Sequence, residues 1–235
     1  MAEERVGLVT LKNVRLSYPH LWKPQKDMKG DDGKIQKGKY GASLIIDPNT
    51  PDGKKNLRLL KEAKEAVMEA QWGSKKPSLP ASKLPTRKYE PPADEEGNVD
   101  EDAVDPAYVG MYFVSARNPD RPQIVDNIKD PENPKKWRRI PEGDNQVYGG
   151  CYVNAIVRLW AQDNEYGKRV NAALELVQFY KHGESFGSGP IDPESYLDDE
   201  LVEGGDIDDL EDYGSQSSGS GKSKPKAKGD DEDLL

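Results

Sequence analysis

The chain has 235 residues, 34% of them hydrophobic and 33% charged, with a mean hydropathy of −0.91, so a folded core can occupy part of the chain but not all of it. No apolar run approaches the ~18 residues of a membrane span, and residues 1–5 lack the basic-then-apolar layout of a secretory signal, so the chain is read as soluble and intracellular. The single Cys151 excludes an intramolecular disulfide or a multi-cysteine zinc site, and His20 and His182 are too far apart in sequence to suggest His-rich metal chemistry.

The net charge of −9 is unevenly distributed. Residues 190–235 hold 15 acidic side chains against four lysines, a net of −11, which leaves +2 for residues 1–189. Within that body, residues 94–105 carry seven acids and no base, so the remainder is distinctly basic. A basic body suits a polyanion, and a tail of opposite sign can compete for the same surface.

In chain order, residues 8–18 are rich in β-formers and predict a strand ended by Pro19; a Lys/Gly-rich connection leads to a second strand at 39–46. Alternation along the first strand would set Lys12, Val14, Leu16 and Tyr18 on one face and Ser17 on the other. Thr50 and Pro51 open a helix and Gly73 stops it, giving one helix over about 51–72 with Leu59, Leu60, Ala63, Ala66, Val67 and Ala70 on its apolar side. Residues 73–106, broken by six prolines, form a long connection. Further strands are predicted at 108–116, 123–125, 147–161 and 171–180, the last with a weaker helical alternative at 172–176. About five principal strands, one helix and no βαβ alternation indicate a mainly β domain, a five-stranded Greek-key barrel of the oligonucleotide-binding (OB) type with long loops. Residues 1–189 form this domain, and residues 190–235 a disordered, flexible acidic tail. Its last six residues, Asp230, Asp231, Glu232, Asp233, Leu234 and Leu235, place four acids before an apolar pair, a pattern suited to steering onto a basic pocket and anchoring there.

Catalysis finds little support. No nucleophile elbow or phosphate loop is present, Gly149 and Gly150 suggest close backbone packing, and Cys151 lies in an apolar stretch that favours a core role. No enzyme activity, cofactor or metal site is expected. Sequence-tolerant binding of single strands instead requires cations for phosphates and aromatic faces for bases. Residues 135–139 supply both, with Lys135, Lys136, Trp137, Arg138 and Arg139 held between Pro134 and Pro141 and so expected outside regular structure. Lys12, Arg15, Arg87, Lys88 and Arg158 complete the expected phosphate contacts; Tyr18, Trp22, Tyr89 and Trp160 join Trp137 as expected stacking residues.

The segments 39–46 (Lys-Tyr-Gly-Ala-Ser-Leu-Ile-Ile), 147–155 (Val-Tyr-Gly-Gly-Cys-Tyr-Val-Asn-Ala) and 167–174 (Gly-Lys-Arg-Val-Asn-Ala-Ala-Leu), followed by Val177 and Gln178, together with the body-plus-tail layout, resemble the OB-fold single-stranded DNA-binding proteins of tailed bacteriophages. The resemblance implies coating and protection of single-stranded DNA during phage replication and recombination, in the cytoplasm of the infected bacterial host. It also implies a tail that recruits replication or recombination proteins and competes with DNA. Relatives commonly end in acids and an aromatic residue, where this chain has Leu234 and Leu235. No membrane partner is expected, and self-association into a homo-oligomer is left open. The competing reading is an acidic adaptor or DNA mimic acting through its tail.

Overall fold

The computed structural model describes residues 6–29, 33–94 and 96–187. The acidic tail and its terminal leucines lie outside the described residues. In chain order the elements are β1 (Leu8–His20), β2 (Met28–Lys29), β3 (Ile35–Gln36), β4 (Tyr40–Ile46), α1 (Pro51–Trp72), β5 (Thr86–Lys88), β6 (Tyr112–Asn118), β7 (Gln123–Lys129), β8 (Trp137–Arg139), β9 (Tyr152–Asn164) and β10 (Gly167–Lys181). Apart from the small β2–β3 hairpin, the strands form one sheet in the order β5-β6-β4-β1-β9-β10-β7-β8, antiparallel except where β7 runs parallel to β10.

Five strands, β1, β4, β6, β9 and β10, make the barrel expected of an OB fold. Successive antiparallel pairings set β6 and β10 running the same way. β6 also packs along β10, with Asn118 Nδ2 donating to Leu174 O at 3.1 Å. Pro119 and Pro122 then interrupt the chain, because neither has an N–H to continue a ladder. β7 resumes in the same direction, hydrogen-bonded to β10 rather than β4. Inside, Leu11, Leu16, Leu44, Val114, Val157 and Leu174 have no exposed surface. Cys151 is likewise fully buried, and burial pushes its thiol above the ordinary value, which suits a small core residue and not a nucleophile.

The helix begins and ends at the residues that signal it. Thr50 Oγ1 accepts from Gly53 N at 3.0 Å, Pro51 occupies the first turn, and Gly73 takes a φ of 55° at the stop. The buried stripe differs from the one expected: Asn56, Leu60, Val67 and Met68 face inward, while Ala66 and Ala70 are exposed. Asn56 accepts from Lys12 N at 3.1 Å and donates to Lys12 O at 2.8 Å, which turns that side of α1 toward β1.

Other expectations need correction. β1 continues through Pro19 to His20, because the register against β4 shifts between Ser17 and His20. A second shift, against β9, falls between Leu11 and Val14. Asn13 and Tyr18 adopt positive φ at these two irregularities, 51° and 46°. The simple alternation therefore fails: Val14 and Leu16 are buried whereas Lys12 and Tyr18 are exposed. The strand predicted at 108–116 is displaced to β6, since 105–111 turns back on itself through Tyr108 N to Asp105 O and Met111 N to Tyr108 O. β9 starts only at Tyr152. Before it, Gly150 has φ 108°, and a Cβ there would lie 2.0 Å from Glu184 O, so glycine is required. Residues 171–180 are strand throughout, and 137–139 pair as an edge strand despite the flanking prolines.

Asp126 on β7 is 1% exposed. Burial opposes its charged form, but Arg138 Nε at 3.0 Å, the Arg138 amino group, the Asn127 amide at 2.6 Å and Gln146 Nε2 at 2.9 Å outweigh burial and hold the carboxyl below its ordinary value. A depressed carboxyl contributes stability that is complete above the unfolded-state value of ~3.9 and is lost as pH falls through the folded one. Thermal melts across the acid range are expected to show a flatter acid limb for Asp126→Asn than for the parent chain. At neutral pH, Arg138→Ala is expected to lower the denaturant midpoint, because it leaves a buried carboxylate short of donors; an unchanged midpoint would refute this role.

Candidate nucleic-acid interface

In a barrel of this type, the face of the second and third strands, with the loops joining strands one to two and four to five, is where oligonucleotides bind. Here those parts are β4, β6, the connection 21–39 and the β9–β10 hairpin. All of these but β4 contribute to a cleft of about 420 Å³ lined by Gln36 and Lys39 from the connection, Ser115 and Arg117 from β6, Arg87 from the neighbouring β5, and Trp160, Gln162, Arg169 and Asn171 from the hairpin strands. Lys83, from the turn before β5, completes the rim. Among the described residues, five cations line the cleft and no acid does.

Strand periodicity explains the convergence. Ser115 and Arg117 are two apart on β6, Trp160 and Gln162 on β9, and Arg169 and Asn171 on β10, so each pair shares a face. Trp160 lies opposite Asn171 and is 44% exposed, leaving its ring open to a partner. Asn171 Nδ2 donates to Gln162 Oε1 at 3.0 Å, and Gln162 Nε2 to Asn164 Oδ1 at 2.9 Å, which fixes the amides beside the indole.

The arginines are poised for an anion. Arg87 stands 4.9 Å from the Phe113 ring centroid and donates weakly to Ser115 Oγ at 3.5 Å. The Nε atoms of Arg87 and Arg169 are both buried with no hydrogen-bond partner. A buried donor left unsatisfied costs ~1–3 kcal/mol, which an incoming phosphate oxygen would offset. Among the described residues, Lys39, Lys83, Arg87, Arg117 and Arg169 have no carboxylate within ion-pair distance. A smaller cleft, lined by Lys26, Lys37, Lys39 and Arg117 among others, extends the basic surface along the connection.

Comparison with known proteins bears on the same body. Residues 8–207 match the family model described as Enterobacter phage Enc34, ssDNA-binding protein. The chain belongs to this family. The solved single-stranded DNA-binding protein from bacteriophage Enc34 in complex with ssDNA is 30% identical, with a TM-score of 0.59, over 77% of this chain and 90% of that one. The same phage protein in another structure is 28% identical, with a TM-score of 0.57, over 82% of this chain and 90% of that one. Protein p50 of Acyrthosiphon pisum secondary endosymbiont phage 1 is 28% identical over 191 residues, 81% of this chain and 92% of its own. The family named by the resemblance is thus the family found, one of binding proteins and not enzymes.

Of the residues expected at the interface of this family member, only Arg87 and Trp160 line the cleft. Arg158 shares the outer face of β9 with Trp160 but is ion-paired to Glu175 at 3.0 Å. Lys88 is exposed next to Arg87 on β5, outside the cleft lining. Tyr89 accepts from Asp105 N at 3.0 Å through its hydroxyl, and its ring lies 5.4 Å from that of Tyr108, which ties down the proline-rich connection. Trp22 packs partly buried against the core. Lys12 lies beside α1, and Lys135, Lys136, Trp137 and Arg139 lie on or before β8, while Arg138 is engaged with Asp126.

Arg15 and Tyr18 line a separate cavity of about 680 Å³ together with Asp105 and Glu184. Its acids, and the prior engagement of its arginine, make this larger cavity the poorer phosphate site. Arg15 donates to Gly150 O at 3.2 Å and Glu184 O at 2.8 Å, and its guanidinium lies 4.1 Å from the Phe186 ring centroid. It holds residues 184–186 against the barrel. The cations missed in the sequence, Lys39, Lys83, Arg117 and Arg169, come from four separate segments. Period-two pairing of Arg117 with Ser115 and of Arg169 with Asn171 was the available signal.

Arg15→Ala is expected to lower the unfolding midpoint, by about 1–3 kcal/mol for the lost charged hydrogen bonds, while leaving affinity for oligonucleotides within about twofold. Parallel denaturant melts and binding titrations check this, and a large affinity loss without destabilisation would return Arg15 to the interface.

Proposed function

We propose that the protein binds single-stranded DNA without sequence preference, with the cation-lined cleft around Trp160 as the principal binding site. The observation that carries the reading is the convergence of Lys39, Lys83, Arg87, Arg117 and Arg169 on one exposed indole, at the face an OB barrel uses for oligonucleotides. Family membership supports it, as does the solved relative in complex with ssDNA. Cations neutralise successive phosphates, while the indole stacks on a base irrespective of its identity. Amides of Gln36, Gln162 and Asn171 offer hydrogen bonds to base edges or sugars.

The biological setting proposed is protection of single strands during phage DNA replication and recombination, in the cytoplasm of the infected host. Residues 190–235 act as a tethered polyanion of net charge −11 that competes with DNA and recruits replication or recombination proteins through Asp230, Asp231, Glu232, Asp233, Leu234 and Leu235.

Fluorescence anisotropy of a labelled oligo-dT of about 30 nucleotides, well above the ~4–16 nucleotides of one OB fold, tests the reading across a salt series. Affinity is expected to fall as salt rises, to tighten when residues 190–235 are removed, and to drop by about 1–3 kcal/mol on Trp160→Ala. Salt-insensitive binding, or none, would overturn the function. Unchanged affinity for a folded Trp160→Ala variant would remove the indole from the site.

A further inference from the structure

The most cationic local segment of the sequence has no place in the cleft. β7 and β8 continue beyond the barrel as a two-stranded arm: Asn127, Ile128 and Lys129 on one strand and Trp137, Arg138 and Arg139 on the other are all exposed. Residues 127–139 hold five cations and two acids, Asp130 and Glu132. Asp130 Oδ1 accepts from Glu132 N at 2.9 Å and its amide donates to Lys136 O at 3.0 Å, so it helps shape the turn at the tip. Among the described residues Lys135, Lys136 and Arg139 have no carboxylate within ion-pair distance.

The arm is also fixed in place. Arg138 is clamped to buried Asp126, and Lys129, opposite Trp137 in the ladder, sets its Nζ 3.5 Å from the indole centroid. The indole remains 42% exposed. Cleft and arm are well separated along β10: Asn171 lines the cleft, while Gln178 lies opposite Val125, which in turn faces Arg139. Seven residues of strand span roughly 23 Å at about 3.3 Å each.

We infer that this arm is a second contact site for single-stranded nucleic acid, with Trp137 as its stacking face and Lys135, Lys136 and Arg139 as its phosphate contacts, engaged only by a strand long enough to run on from the cleft. The inference rests on the reading of the cleft given above. A phosphodiester strand fits because the arm repeats the pairing of indole and free cations found there, on a rigid two-stranded support. Lys129 must slide off the ring, or share it, when a base stacks.

The test uses the full chain and two oligo-dT lengths, about 6 and about 30 nucleotides, near the bottom of and well above the ~4–16 nucleotide range of an OB fold. Trp137→Ala is expected to weaken the long oligomer about tenfold and leave the short one within about twofold, with an unchanged melting midpoint. Lys135→Ala/Lys136→Ala is expected to lower the salt slope for the long oligomer by about 1.4, at ~0.7 per phosphate contact, and not for the short one. Trp160→Ala is expected to weaken both lengths. Arm variants that bind the long oligomer like the parent overturn the second site. Equal losses at both lengths overturn its independence. Normal binding of both lengths by Trp160→Ala together with a long-oligomer loss in the arm variants removes the cleft as the principal site and leaves the arm standing.

Discussion

The architecture turns on the interruption at residues 119–122. Without N–H groups at Pro119 and Pro122 the ladder begun by β6 cannot run on unbroken, and the chain leaves its pairing with β4 and resumes as β7 on β10. The Asn118 side chain bridges the gap to Leu174, so closure rests on an amide and on packing at the place where a continuous strand would carry backbone pairs. The same interruption sends β7 outward along β10. Arg117, just before the break, lines the cleft, and Lys129, well after it, lies on the arm.

Charge is organised by what each cation can reach. Arg15, Arg138 and Arg158 find partners within the fold: Glu184, Asp126 and Glu175. Among the described residues, the cations of the cleft find no carboxylate. A barrel that engages some arginines structurally while leaving a contiguous group without carboxylates has a surface complementary in charge to a polyanion, beyond its modest overall positive charge.

Much of the architecture was legible in the sequence because its signals are local. The hydroxyl, proline and glycine that bound α1 act within one helical turn, and β-rich runs between prolines and glycines mark the barrel strands. The errors arose where the decisive contact is distant. Positive φ at Asn13 goes with a hydrogen bond from its backbone N–H to Asn154 Oδ1 across the sheet, and no period-two rule anticipates it. The orientation of α1 depends on Asn56 meeting Lys12. The cleft was hidden for a similar reason: its cations are single residues scattered from Lys39 to Arg169. The conspicuous cluster at 135–139 instead lies on a short edge strand whose central arginine serves the fold.

Five cations sharing one cleft, with no carboxylate among its described lining residues, have a consequence for the fold itself. Like charges held this close repel one another, so the arrangement lowers the stability of the fold where it raises complementarity to an anion. Salt screens that repulsion and weakens the pull on a polyanion together, so stability and attraction at this face respond to ionic strength in opposite senses.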